Sequence, residues 1–207
     1  MMRFLRSSLF VLIVLTATGG LARASKTVFK TKGMDAGGSF DVQTTRACSP
    51  GVTGTDTISV HIDMFESTTA TNGAPTTVLQ SSMSVTRVDG CTFDVLFDFG
   101  QFQGVGTLAM TALQTGNVTG HFVLQEGTIL DVNLTMTGSD TTFTGTTSRR
   151  TILGKTMVLQ RGIGSSRTAT LSGTAIIDGQ AVSSSQMTNT DASLARNTGG
   201  EITILKP

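Results

Sequence analysis

Trp and Tyr are absent from this 207-residue chain, which leaves Phe as its sole aromatic residue. Sugar-binding platforms and single-strand nucleic-acid grooves stack their ligands on aromatic faces. Outer-membrane barrels rely on aromatic girdles at both interfaces. None of these roles suits the composition. Histidine is nearly absent as well, with only His61 and His121. There is no HExxH motif, serine nucleophile elbow, phosphate-binding glycine loop or EF-hand loop, so no cofactor is implied. Charged residues make up 14% of the chain and come in nearly equal numbers of each sign, which removes any global attraction to nucleic acid.

One strongly apolar run is present, Leu9–Leu15, preceded by Arg3 and Arg6 and followed by Gly19-Gly20 and Ala22-Arg23-Ala24. Basic start, short apolar stretch and small residues before a cut are the layout of a secretory signal peptide cleaved after Ala24. The run is too short to span a bilayer, which takes about 20 apolar residues. The expected mature chain, 25–207, is one domain without a membrane span, secreted or periplasmic. It carries 12 basic against 14 acidic groups, a net of −2. In such a compartment Cys48 and Cys91 are expected to form a disulfide.

The mature part reads as strands. Apolar and polar residues alternate over Ile58–Met64, Phe93–Phe99, Val118–Leu124, Leu130–Met136 and Ala169–Ile177. Weaker strand patterns include Ile152–Gln160. Turn pairs such as Asp89-Gly90, Gly116-Asn117, Glu126-Gly127 and Asp178-Gly179 separate strands, as do Gly162–Ser166 and Gly199-Gly200. A short helix is expected at Asp191–Arg196, with Asp191 as its N-cap. The fold class is all-β, a single antiparallel meander-type barrel or sandwich of about 10–12 strands. The form apolar-hydroxyl-Gly-polar recurs around Gly54, Gly120, Gly145 and Gly173, which suggests bends or close approach of a second layer.

Three groups of residues carry functional expectations. Arg149, Arg150, Lys155, Arg161 and Arg167 form a basic segment without an intervening acid, a possible anion-binding surface. Read as one strand, Thr151–Gln160 would separate Arg150 from Arg161 by about 35 Å. His61, Asp63 and His121 are the weak metal or acid/base candidates, and no specific ligand spacing supports them. Asp94 and Asp98 read as solvated residues on an outer face, about 13 Å apart and too distant for paired-carboxylate chemistry. The expected role is non-enzymatic binding or structure at the cell envelope or outside the cell. Its partner would be an anionic polysaccharide, a lipid headgroup or another envelope protein, and not nucleic acid. Two alternatives stand beside it: a calycin-like barrel carrying a small apolar ligand, and a hydrolase or metal enzyme using His61, Asp63 and His121.

Overall fold

Four strands are far longer than the five or six residues typical of a strand, and their length divides the molecule into two regions. The computed structural model describes residues 25–71 and 73–206; the expected leader, Met1–Ala24, lies outside the described residues. The strands are β1 (Ser25–Ser49), β2 (Val52–Thr71), β3 (Ala74–Val88), β4 (Val95–Gln103), β5 (Thr107–Thr111), β6 (Thr115–Val123), β7 (Ile129–Gly138), β8 (Phe143–Leu153), β9 (Thr156–Ile177), β10 (Gln180–Ser183) and β11 (Met187–Lys206). They form one antiparallel sheet that does not close, in the order β4-β3-β2-β1-β11-β9-β7-β6-β5. Two meanders, β1–β4 and β5–β7, are thus bridged by β11 and β9. Strand β9 carries β11 and then β10 along one edge, and β8 and then β7 along the other.

One half of the curled sheet encloses the core. Phe40, Val60, Ile62, Met64, Met83, Val85, Val118, Phe122, Leu130, Leu134, Met136 and Leu194 are all fully buried. The period-two patterns of β2 and β7 place their apolar sets inward, as the alternation requires. Met64, Met83 and Met136 fill gaps between branched and aromatic neighbours, a use that suits an unbranched side chain. These side chains fill the interior of the curl, so the carrier reading loses its ligand space.

Glycine marks two places where backbones meet. Gly54 lies against Gly90 at the start of β2, and a Cβ on either would collide with the other segment's backbone. Gly173 adopts φ +122 with the Asn133 carbonyl against it. Gly120 likewise faces the Phe122 ring, whereas Gly145, of the same sequence form, meets nothing within 4 Å. The difference separates the core from the second region.

Several expectations are corrected. Residues 191–196 are strand, not helix: Asp191 through Arg196 pair with Ser39 through Met34, and Ala192 and Leu194 point into the core. Burial at period two outweighs a lone N-cap signal. Strand β4 presents the opposite face from the one expected. Phe93, Val95 and Phe97 are 78%, 61% and 62% exposed, while Asp98 is buried. Gly116-Asn117 lies within β6; the turn before it uses Ala112 and Leu113 at positive φ. Gly162–Ser166 and Gly199-Gly200 lie inside β9 and β11, where the ladder shifts register between Asn197 and Glu201.

Candidate anion-binding site

Beyond the core, β1, β2, β3, β8, β9 and β11 continue as an arm of sheet. Its residues are 25–34, 66–71, 73–79, 143–166 and 196–206, and no apolar side chain in it is fully buried. From Met34 to Ser25 it extends about 30 Å at 3.3 Å per residue. Gly145, Gly162, Gly164 and Gly199 face open space, as expected where no second layer is packed on the sheet.

Charge separates the same two regions. The arm holds nine basic groups and two acidic ones, Glu66 and Glu201, a net of +7. The rest of the described chain holds three basic and twelve acidic groups, a net of −9. No such division is visible in the near-neutral total.

The register sorts the arm's cations by face. Thr151–Gln160 is a hairpin turning at Gly154-Lys155, not one strand. Arg150 pairs with Leu159, and Arg161 with Ser148. Arg150 and Arg161 are therefore diagonal neighbours about 7–8 Å apart on one face, in place of the 35 Å expected. Three rows of residues cross this face, which continues the core side of the sheet. The distal row is Ile152–Met157–Leu205–Lys26, the next Arg150–Leu159–Thr203–Val28, and the third Ser148–Arg161–Glu201–Lys30. Lys26, Lys30, Lys32, Arg150 and Arg161 are exposed there. Glu201 stands between Arg161 and Lys30 and accepts a hydrogen bond from the buried Thr203 hydroxyl at 3.0 Å. Lys26, Leu159, Arg161, Glu201, Thr203 and Leu205 line a shallow recess of about 210 Å³.

The other members of the basic segment lie apart. Arg149 opens onto the opposite face, opposite Gln160, and Lys155 sits at the hairpin tip. Arg167 is outside the arm: it pairs with Leu194 across the ladder and donates from Nε to the Thr142 hydroxyl at 2.5 Å. Lys26 and Lys30 were missed in the sequence because more than a hundred residues separate them from Arg150. Their spacing around Val28 was the available signal, since i and i+4 share a strand face.

The histidines do not converge. His61 and Asp63 share the outer face of β2, with Val60 and Ile62 pointing into the core between and beside them. His121 lies on the outer face of β6, in the other meander, and contacts Asp131 Oδ1 through Nδ1 at 2.6 Å. No group of three or more His, Cys, Asp or Glu able to hold a metal occurs among the described residues. The enzyme built on His61, Asp63 and His121 is set aside on this geometry.

The far end of the molecule is stapled. Cys48 and Cys91 form a disulfide with Cα atoms 5.4 Å apart. Beside it Arg46 donates to Asp56 at 2.7 Å and to Asp89 at 2.5 Å. The Gly90 N–H, and then Arg46, hold the Asp56 carboxyl below its ordinary pKa; the Thr92 and Cys91 N–H groups do the same for Asp89. Asp98 is the buried acid. Burial pushes its pKa up, but hydrogen bonds from the Glu126, Thr128 and Phe99 N–H groups at 2.8–2.9 Å, with the Thr128 hydroxyl, outweigh that and lower it.

No family model and no curated protein sequence matches this chain. Among solved structures it is similar to an acetoacetate decarboxylase-like enzyme from Sphingomonas wittichii RW1, at 10% identity and a TM-score of 0.25 over 84% of this chain and 90% of that one. That protein is named as an enzyme and gives no support to the expected non-enzymatic binding or structural role, which is withdrawn. A similarity this distant transfers neither activity nor residues to the present chain.

Proposed function

We propose that the basic arm holds this protein against an anionic partner, one presenting closely spaced phosphate or sulfate groups. The observation that carries the reading is the hairpin register, which sets Arg150 and Arg161 on one face with Lys26 and Lys30. A net of +7 in a region without a covering layer favours long-range attraction of anions, and the −9 remainder orients the molecule arm first. Lys32 extends the cationic face toward the core; Arg149 and Lys155 add charge at its rim. The same proposal places the protein outside the cytoplasm, exported with the leader removed after Ala24. The Cys48–Cys91 bridge is compatible with it, and no helix long and apolar enough to cross a membrane occurs among the described residues.

The test is retention on a sulfated-polymer matrix. The protein should be retained at low salt, and Arg150→Glu/Arg161→Glu should elute well before it, because exposed charges act over roughly a 10 Å screening length at 0.1 M salt. Reversing Asp56 and Asp89 to Lys at the other end should not change the order of elution of the arm variant. Flow-through of the unaltered protein, or co-elution of the two forms, would sink the reading.

A further inference from the structure

The distal end of the arm combines cations with exposed aliphatic side chains. Ile152 and Leu153 are 62% and 64% exposed and flank the Gly154-Lys155 turn. Across the ladder, Met157 and Leu205 continue the row from Ile152 and Lys26 ends it. On the opposite face Leu153 lies two residues beyond Thr151, which pairs with Val158, itself opposite Ile204. One face thus ends in an apolar row across β8, β9 and β11, closed by Lys26, while the other face adds Leu153 beside the polar Thr156, Lys206 and Ser25.

We propose that this end docks onto an anionic lipid bilayer, apolar rim first. The inference rests on the anion-binding reading above and names its partner. A dissolved polyanion would have no use for exposed Ile152 and Leu153. A bilayer offers an apolar layer directly beneath an anionic one, and interfacial elements bury their apolar residues about 5–10 Å into that boundary. The arm is spaced for this. Successive rows on one face are about 6.6 Å apart, so Arg150 lies one row behind Ile152, and Arg161 and Lys30 two rows behind. With the distal row at the hydrocarbon boundary, Arg150 falls at headgroup depth, about 6 Å thick on each side, and Lys26 in that row and Lys155 at the tip carry their charges back to the headgroups along their aliphatic stems. Arg161 and Lys30 stand at the outer surface, where the lipid's negative potential still acts.

One further observation favours a membrane over a polysaccharide. Another exposed apolar patch, Phe93, Val95 and Phe97, lies at the opposite end, in the acidic region beside Asp89 and Asp94. An anionic bilayer would repel that patch and attract the arm.

A chain without Trp permits a direct test. Leu153→Trp and Phe97→Trp are prepared separately from the full-length sequence, and intact mass identifies the mature N-terminus. Each is mixed with vesicles of phosphatidylglycerol and phosphatidylcholine, or of phosphatidylcholine alone. Emission from Leu153→Trp should shift to shorter wavelength on the anionic vesicles and be quenched by lipid brominated in its acyl chains; Phe97→Trp should do neither. Arg150→Glu/Arg161→Glu should weaken vesicle binding at least tenfold, given about fivefold per basic residue lost near such a surface. Retention on the sulfated matrix without vesicle binding would overturn the bilayer and leave the anion reading standing. Vesicle binding without a Leu153→Trp response would overturn tip-first docking. Failure on both matrices would overturn both readings. Matching thermal melts confirm that the variants fold, and Ile152→Trp serves if Leu153→Trp does not.

Discussion

The two halves of β1, β2, β9 and β11 are made from the same ladder and held by different means. In the core half each strand places its inward side chains against a second layer: Ala36 and Phe40 from β1, Val60, Ile62 and Met64 from β2, Ala175 and Ile177 from β9, Leu194 from β11. In the arm half the same strands keep their backbone pairing and lose the layer. Val28, Leu159 and Ile204 gain partial cover from neighbours on their own sheet alone. The core end is also cross-linked, by Cys48–Cys91 and by Arg46 with Asp56 and Asp89. Among the described residues the arm end has no disulfide and no ion pair and is held by hydrogen bonds. A ladder alone contributes little net stability in water; the arm persists because each of its strands is continuous with one anchored in the core. That arrangement suits a contact surface, since the arm's side chains are free to meet a partner.

The sharpest way to break the comparison is to truncate one large side chain in each half. Phe122 is fully buried and packs on Phe102 with ring centroids 5.2 Å apart. Phe122→Ala should cost about 3–5 kcal/mol, as large core truncations do. Phe143→Ala, in the arm, should cost less than about 0.5 kcal/mol, as exposed substitutions do, since Phe143 is exposed. Urea unfolding of both variants reads this directly. Equal losses would mean that the arm is packed in solution against something the described residues do not provide.

Removing the staple is the next largest change. The bridge closes a loop with a sequence separation of 43, and restricting the unfolded chain to that extent contributes roughly 4 kcal/mol in the chain-entropy model. Cys48→Ser/Cys91→Ser should lower the urea midpoint accordingly and leave retention on the sulfated matrix unchanged, because the bridge lies at the end remote from the arm. A loss of retention in a variant that is still folded would show that the two ends are coupled, and the division into independent halves would fail.

Legibility in the sequence follows the same division. In the core, apolar alternation meant burial, and Val60-Ile62-Met64 and Leu130-Val132-Leu134-Met136 were readable as inward sets. The arm residues alternate just as well, but alternation records a pleat and not whether anything covers it. Nothing local distinguished Phe29-Thr31 from Ile62-Met64. The hairpin at Gly154-Lys155 was hidden because Ile152-Leu153 and Met157-Val158 continue an apolar run across it. The candidate site depended on that turn, and on β11 standing between Lys30 of β1 and Arg161 of β9; pairing at such range leaves no trace in local spacing. The β4 inversion was hidden for another reason. A single carboxylate, Asp98, satisfies N–H groups of a turn 28 and 30 residues away, and this outweighs the apolar pattern of its neighbours.

Replacing Asp98 should cost less than either the Phe122 truncation or loss of the bridge, and it has the clearest pH signature. Its carboxylate ties β4 to the turn between β6 and β7 and helps close the core where the sheet is open. The folded pKa is lowered below the ordinary carboxyl value, so the native state binds the proton more weakly than the unfolded chain. Stability from this group is therefore fully present above the unfolded value of about 3.9 and is lost as pH falls through the folded one. Asp98→Asn keeps the shape, loses the charge, and turns one acceptor into a donor facing backbone N–H groups. It should cost about 1.5–3 kcal/mol at pH 7, the range for hydrogen bonds to a charged group. Below about pH 4 the unfolded parent takes up a proton that its folded state still resists, and the gap between parent and variant should narrow until the folded carboxylate is protonated too. Asp56 and Asp89 also have lowered values and titrate in the same window. They are common to both proteins, however, so the difference between the two unfolding curves isolates Asp98. A gap that stays constant from pH 7 to pH 3 would show that the Asp98 charge does not stabilise the core's open side. The core would then depend on apolar burial alone, and its advantage over the arm would be independent of pH.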